Sequence, residues 1–375
     1  MIRLALKLIF GERLKFYGLV ASLTFAALLI VLLTSIYFGV LESFFNVAYA
    51  SGVPIWVMDK RTESFDRPIA MPDHVLNTVR AVPGVKWAEP YLLADITVKQ
   101  DNGKRTIIKL VGISTSSFAG LPDKFIAGNA DVLRKPDGVA IDKNQLDLMQ
   151  GAGLGSKFEF NGKQFEIQAI LDMKPNSLSF PVCYVSQANF ISCFPNKTQA
   201  LSYVLAYPEE GKSAEDVCYS IMSRDANLTA LPQTAFAKKT QDWYLNNTSM
   251  PFIFMVIVII GMTFAIVITA QQFYTFVLEN INNLAVLKSL GFDNADIGIM
   301  MMIQILVVGF AAYGISFGAI AGLGYLFGNM PRMFYYTPYN LMVLSGFLVF
   351  SVCLLSSLMG IHKMRSIEPA TVFRM

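Results

Sequence analysis

Residues of chemically versatile types are few and scattered in this sequence. Histidine occurs twice, as His74 and His362. An imidazole acts as a general base or metal ligand only with partners within reach. His74 is the only histidine of its polar segment. It follows Met71-Pro72-Asp73, residue types that open a helix, and reads as a solvated surface residue. Of the cysteines, Cys183, Cys193 and Cys218 would allow one bridge in three ways with one thiol left over, and Cys353 lies in an apolar run. No CxxC pair suggests metal or redox work, so the four read as small buried apolar residues. Gly211-Lys212-Ser213 matches the end of a phosphate loop, but position 206 is Ala and no Gly-rich lead-in precedes it. Ser213 is better read as a helix N-cap. Glu209, Glu210, Asp123, Asp131 and Asp137 are dispersed acids. No nucleophile and base come together, so the chemistry-bearing residues point away from an enzyme and towards a binding or transmission module.

The elements that carry these residues explain why. The chain has 375 residues, 54% of them hydrophobic and only 15% charged, against about 25% charged in soluble domains. Every charged residue falls outside four apolar runs, 17–41, 252–276, 297–327 and 340–361. Each run meets the roughly 20 residues needed to span a bilayer, while the remainder is charged like an ordinary soluble domain. A soluble cytosolic enzyme, a disordered chain and a disulfide-framework peptide are excluded. A net charge of +3 with no Lys/Arg run excludes a nucleic-acid partner.

Ala48-Tyr49-Ala50 resembles a signal-peptide cleavage site, but the 17–41 run exceeds the 7–15 residues or so of a signal peptide, and the site lies well beyond it. The run therefore reads as a retained transmembrane helix. Arg3, Lys7, Arg13 and Lys15 precede it, and Lys363, Arg365 and Arg374 follow the last run. By the positive-inside rule both termini are cytoplasmic. Segment 42–251 is then extracytoplasmic, 277–296 cytoplasmic, 328–339 a short external loop and 362–375 a cytoplasmic tail. Residues 1–16, with Ile2, Leu4, Leu6, Leu8 and Ile9 interleaved with Arg3 and Lys7, suggest an amphipathic helix in the inner interface.

The 42–251 segment carries mixed signals. Val75, Leu76 and Val79 share a helix face closed by Pro83-Gly84. Hairpins are expected at 95–100 and 104–113 around Asp101-Asn102-Gly103, and at 157–160 and 163–170 around Asn161-Gly162. Residues 144–150 and 213–224 read as helices, and 181–186 and 202–207 as strands. The expected fold is a membrane protein with four transmembrane helices and a large mixed α+β extracytoplasmic domain inserted between the first and second.

None of the four runs contains Asp, Glu, Lys, Arg or His. A proton or ion relay usually needs an ionisable group at depth, so a hydrophilic pathway through the bundle is not expected. In the third run Gly314, Gly318 and Gly322 recur every fourth residue, with Gly324 and Gly328 beyond. That spacing puts small residues on one face, where another backbone can approach. At about 1.5 Å per residue the run spans roughly 46 Å, more than the hydrocarbon core of about 30 Å.

In 277–296, Leu278, Ile281, Leu284, Ala285, Leu287 and Lys288 follow helical spacing, Gly291 suits a C-cap, and Asp293 or Asn294 suits the next N-cap. A short amphipathic helix at the cytoplasmic face is a natural docking point. The stretch from Leu284 to Phe292 (Leu-Ala-Val-Leu-Lys-Ser-Leu-Gly-Phe) resembles the coupling helix of FtsX-like (MacB-type, type VII) ABC transporter permeases. Arg365-Ser366-Ile367-Glu368-Pro369-Ala370 resembles their C-terminal ending, and Pro83-Gly84-Val85, Glu89-Pro90 and Val111-Gly112-Ile113 the start of their periplasmic domain. Among subgroups the chain is most similar to DevC-type permeases, which lack a fused ATPase. One departure is Asn283, whose position is usually acidic in the family; Glu279 stands one turn away.

The resemblance implies a permease subunit working as a homodimer with a separate ABC ATPase. ATP and Mg²⁺ would be bound by that partner, with no cofactor or metal in this chain, which has no G-x-x-x-x-G-K-[ST] motif. ATPase closure would push a coupling helix bearing Glu279, Asn283, Leu284, Leu287, Lys288, Leu290 and Gly291, with Gly314, Gly318 and Gly322 packing the helices, and so change the shape of the outer domain. A HlyD-like membrane-fusion protein, and in a Gram-negative cell an outer-membrane channel, would complete an efflux or lipid/glycolipid export complex in the inner membrane. Two alternative roles within the resemblance are an FtsX-like signal relay controlling a periplasmic hydrolase and a lipoprotein-releasing permease.

Overall fold

A computed structural model describes residues 7, 13–49, 51–100, 103–149, 152–173, 180–194, 200–327 and 339–365. The expected interfacial helix at 1–16, the turn residues Asp101 and Asn102, the loop 328–339 with Gly328, and the tail 362–375 lie wholly or largely outside them. Along the chain the helices are α1 (Arg13–Tyr49), α2 (His74–Arg80), α3 (Gln187–Cys193), α4 (Ala214–Arg224), α5 (Gln233–Asn247), α6 (Met250–Glu279), α7 (Ile281–Ser289), α8 (Asn294–Phe327) and α9 (Tyr339–Arg365). The strands are β1 (Ile55–Asp59), β2 (Met71–Pro72), β3 (Val85–Gln100), β4 (Arg105–Ile113), β5 (Phe125–Ala127), β6 (Gly138–Asp142), β7 (Lys157–Phe160), β8 (Lys163–Leu171), β9 (Val182–Ser186), β10 (Ala200–Leu201), β11 (Tyr203–Pro208) and β12 (Leu228–Pro232). The described residues of 13–39, 252–327 and 339–365 form one compact unit, and those of 40–251 another.

In the second unit the main sheet runs β12-β1-β11-β3-β4-β9-β6-β8-β5. Strand β7 pairs with both β3 and β8, so β3-β4-β9-β6-β8-β7 closes on itself. Closure removes sheet edges, and the ring interior is filled by the stacked Phe158 and Phe165, 5.7 Å between centroids, with Val98, Ile108, Ile141 and Ile167. The turn of its β7–β8 hairpin has φ of 50° at Asn161 and 75° at Gly162, the backbone that makes Asn-Gly a strong two-residue hairpin signal.

A second core lies on the other face of the open part of the sheet. Trp56 is fully buried there, its ring 5.1–5.8 Å from those of Phe65, Tyr91, Tyr203 and Phe236. The Tyr203 hydroxyl donates to the carbonyls of Ser64 and Phe65, which pins the 60–70 loop across this core. Lys109 is buried and reaches Asp95 at 2.6 Å and Asp66 at 3.7 Å. Burial raises the pKa of Asp66, against the lowering influence of Lys109.

Two expected helices differ in detail. Met71 and Pro72 form a short strand with β10 rather than opening α2, which starts at His74. Residues Lys143–Met149 form a 3-10 helix. The Asp142 carboxylate accepts from Asn144 N and Nδ2 and from Met173 N at 3.2–3.4 Å, and such local side-chain bonds compete with α-helical backbone bonding.

Asp142 itself is fully buried, and its Oδ2 has no hydrogen-bond partner among the described residues. Desolvation raises its pKa to about 7, partly offset by its backbone hydrogen bonds. A carboxyl whose folded pKa lies above its unfolded value stabilises the fold fully below the unfolded pKa. That contribution is lost as pH rises through about 7. The expected result is a wild-type extracytoplasmic domain that loses on the order of a few kcal/mol between pH 4 and pH 8 relative to Asp142→Asn. Thermal unfolding of both proteins across that range is the measurement, and parallel profiles would remove this role for Asp142.

In the first unit α1, α6, α8 and α9 are each long and apolar enough to cross a membrane. Leu23, Ala27, Ile30, Phe273, Ile305 and Val349 form the middle of their shared core. Close approach occurs at glycines the periodicity did not single out. A Cβ on Gly309 would lie 3.1 Å from Cys353 Sγ, and one on Gly346 3.4 Å from the Tyr313 ring, so α8 and α9 meet there. Gly261 of α6 abuts Leu33 of α1. At Gly314, Gly318 and Gly322 nothing lies within 4 Å of a Cβ position. Those three therefore touch no other helix of this chain among the described residues.

Candidate functional site

The short helix between α6 and α8 is built from both ends. Asn280 is buried at the α6–α7 junction, where its Nδ2 donates to Phe276 O at 2.9 Å and its carbonyl accepts from Leu284 N at 3.0 Å. Leu284, Ala285 and Leu287 are buried, and both leucines join the bundle core with Phe273, Phe276 and Ile297. At the far end Gly291 has φ of 95°. Its N–H donates to Lys288 O, and Phe292 N–H donates to Leu287 O. This is the Schellman pattern that satisfies the last carbonyls of a helix. Replacing Gly291 with Ala forces a Cβ into the left-handed region at a cost of about 1 kcal/mol. The expected result is a small fall in melting temperature that Gly291→Asn, a residue tolerant of this region, largely avoids.

The other face of α7 is open. Leu290 is 70% exposed and Val286 45%. Glu279, Asn282, Asn283, Ser289 and Gly291 are exposed beside them. The expected coupling residues thus divide. Glu279, Asn283, Leu290 and Gly291 are exposed, Lys288 is half-buried, and Leu284 and Leu287 anchor the helix from within. Asn282 and Val286 belong to the open face but were not singled out, although the 282, 286, 290 spacing carries them. The surface can dock a protein by burying two aliphatic side chains inside a polar rim; it holds no catalytic group.

Elsewhere the chemistry-bearing residues stay apart. Among the described residues no three His, Cys, Asp or Glu side chains are grouped to hold a metal. His74 is exposed on α2, and Ser213 Oγ caps α4 by accepting from Asp216 N at 3.1 Å. The four cysteines are free and buried, and burial pushes the thiols of Cys183 and Cys218 up to about 12, which leaves them unreactive.

The chain matches the model of the MacB-like periplasmic core domain over residues 18–218 and that of the FtsX-like permease C-terminal domain over 255–369. It belongs to the FtsX/MacB-type permeases. The permease is the membrane component of ABC-type transporters, and this one is a multi-pass membrane protein with an extracellular domain. Among solved structures it is similar to the extracellular domain of the noncanonic ABC-type transporter YknZ from Gram-positive bacteria, at 16% identity over 48% of this chain and 98% of that one, with a TM-score of 0.34. Similarity to the periplasmic region of MacB from Actinobacillus actinomycetemcomitans is 12% identity over 54% of this permease and 97% of that chain, TM-score 0.37. A domain of a permease protein from Porphyromonas gingivalis aligns at 14% identity over 48% and 87%, TM-score 0.32. No curated protein matches the chain.

Proposed function

We propose that this permease transmits ATP-driven motion from a separate cytoplasmic ATPase to its extracytoplasmic domain in an export complex. The observation that carries the reading is α7, a helix anchored by Leu284 and Leu287 that presents Val286 and Leu290 to solvent. Exposed aliphatic side chains inside a polar rim are a docking patch. Membership of an ABC-type permease family supports an ABC ATPase as the partner, and that ATPase would bind the ATP and Mg²⁺. Both termini and α7 then lie on the cytoplasmic side.

The bundle supports transmission over conduction. The four apolar runs carry no Asp, Glu, Lys, Arg or His, and a cavity among α1, α6, α8 and α9 is only about 10 Å³ and lined almost entirely by apolar residues. Helix α6 supports a second permease copy. Phe252, Ile257, Ile260 and Phe264 are all exposed along it. The periplasmic partner is a membrane-fusion protein of the HlyD-like class. Reconstitution of this chain with its ATPase tests the reading: hydrolysis is expected to rise with the wild-type permease and to stay at the isolated-ATPase rate with Leu290→Asp. Equal stimulation by both proteins would discard the docking patch.

A further inference from the structure

The extracytoplasmic unit contains a cavity of about 370 Å³ that the transmission mechanism does not use. It arises from the strand pairing. Strand β11 accompanies β3 only as far as Tyr203 opposite Tyr91, and β10 then turns away to pair with β2. Between that point and the pairing with β7 at Lys99, the edge of β3 is held among the described residues by Ser202, whose Oγ accepts from Leu93 N at 2.8 Å. Helices α2 and α3 flank the gap that remains. Leu92, Phe190, Ile191, Phe194 and Leu201 provide apolar walls.

Besides Ser202, three polar side chains meet these walls: Asp73, Asn77 and Gln187. None makes a hydrogen bond or ion pair with another described residue. Asp73 stands at the N-cap of α2, where an aspartate ordinarily accepts from a backbone N–H of the first turn, yet its side chain makes no such bond. Among the described residues, no Lys, Arg or His lines the cavity. Small-molecule sites typically occupy about 300–1,000 Å³, with apolar walls and a few placed polar groups. Asp73 and Asn77 are exposed and Gln187 half-buried, so the apolar walls sit beside one solvent-facing carboxylate and uncharged amides, a combination that favours a positive head group and opposes a negative one.

We propose that this cavity is a binding site for an amphiphile with an apolar body and a cationic head, the head at Asp73 and the body against Phe190, Ile191 and Phe194. The site goes beyond the coupling role and does not depend on it, because binding here requires no ATPase.

The test uses the full chain in phosphatidylcholine nanodiscs and two matched fluorescent probes. Dansylcadaverine and dansyl-6-aminohexanoate share an aromatic body and a five-carbon linker and differ in head charge. With the signal of empty nanodiscs subtracted, the amine is expected to bind saturably with a blue-shifted emission, at least fivefold tighter than the carboxylate. Asp73→Asn is expected to bring the two affinities within twofold of each other. Ile191→Trp, or Ala70→Trp at the rim should the first variant fold poorly, is expected to abolish binding of both while the melting temperature holds. Equal affinity of the two probes for the wild-type chain would overturn the proposal, as would unchanged amine binding in a folded, cavity-filled variant. Equal ATPase stimulation by the wild-type chain and Leu290→Asp, with charge-selective probe binding intact, would discard the docking patch and leave this site standing.

Discussion

Leu290→Asp is expected to abolish co-purification of the ATPase while leaving the permease folded. The side chain is 70% exposed and sits at the end of α7, beyond the residues that anchor it. Burying a leucine against a partner contributes about 1.5–3 kcal/mol. An aspartate in the same place adds the cost of an unpaired charge, about 3–5 kcal/mol. The combined loss exceeds the roughly 2.8 kcal/mol that separates hundredfold affinities. Val286→Asp, 45% exposed on the same face, is expected to act in the same direction, and Leu290→Met to retain binding. Leu287→Asp makes an instructive contrast. That side chain is 8% exposed inside the bundle, so its loss of ATPase is expected to come with reduced yield and melting temperature. An ATPase that co-purifies undiminished with both Leu290→Asp and Val286→Asp would remove α7 as the contact.

Trp56→Ala is expected to produce the largest loss of stability in the extracytoplasmic domain. Trp56 is fully buried and touches four aromatic rings at once. Truncating such a side chain costs about 3–5 kcal/mol, against a total of roughly 5–15 kcal/mol for a typical domain. At about 2–4 °C per kcal/mol for a domain of this size, the melting temperature should fall by roughly 10 °C. The indole Nε1 has no hydrogen-bond partner among the described residues, so Trp56→Phe forfeits packing volume but no polar contact and is expected to lose far less. Thermal unfolding of the full chain separates the two variants; similar losses in both would mean that the indole N–H is bonded after all.

Much of this was legible in the sequence, for identifiable reasons. Charge exclusion marks the membrane runs because no isolated charge is tolerated at depth. Asn161-Gly162 marks its hairpin because only left-handed backbone fits that turn. Ser213 marks the start of α4 because its hydroxyl replaces a missing backbone acceptor. The closure of β3 onto β7 was not legible, since pairing between distant strands leaves no local periodicity. Nor was Trp56, whose four aromatic neighbours come from separate stretches of chain. In α7 the helical repeat identified the element but not its inner face. Leu284 and Leu290 look alike in composition, and only the packed bundle distinguishes the anchor from the contact. The glycine repeat taught a related lesson. Spacing identified a smooth face on α8, whereas the close approaches within the chain fall at Gly309 and Gly346, where Cys353 and Tyr313 happen to lie.

Nucleotide chemistry on one side of the membrane is expected to reshape the domain on the other. Tyr219 is 74% exposed on α4 of the extracytoplasmic unit, and the native cysteines are buried, so a spin label at Tyr219→Cys would report distances between the two permease copies proposed above. With the ATPase reconstituted, the distance distribution is expected to shift when ATP is trapped, to return after hydrolysis, and to stay fixed in the Leu290→Asp background. An unchanged distribution while the wild-type complex hydrolyses ATP would contradict the account.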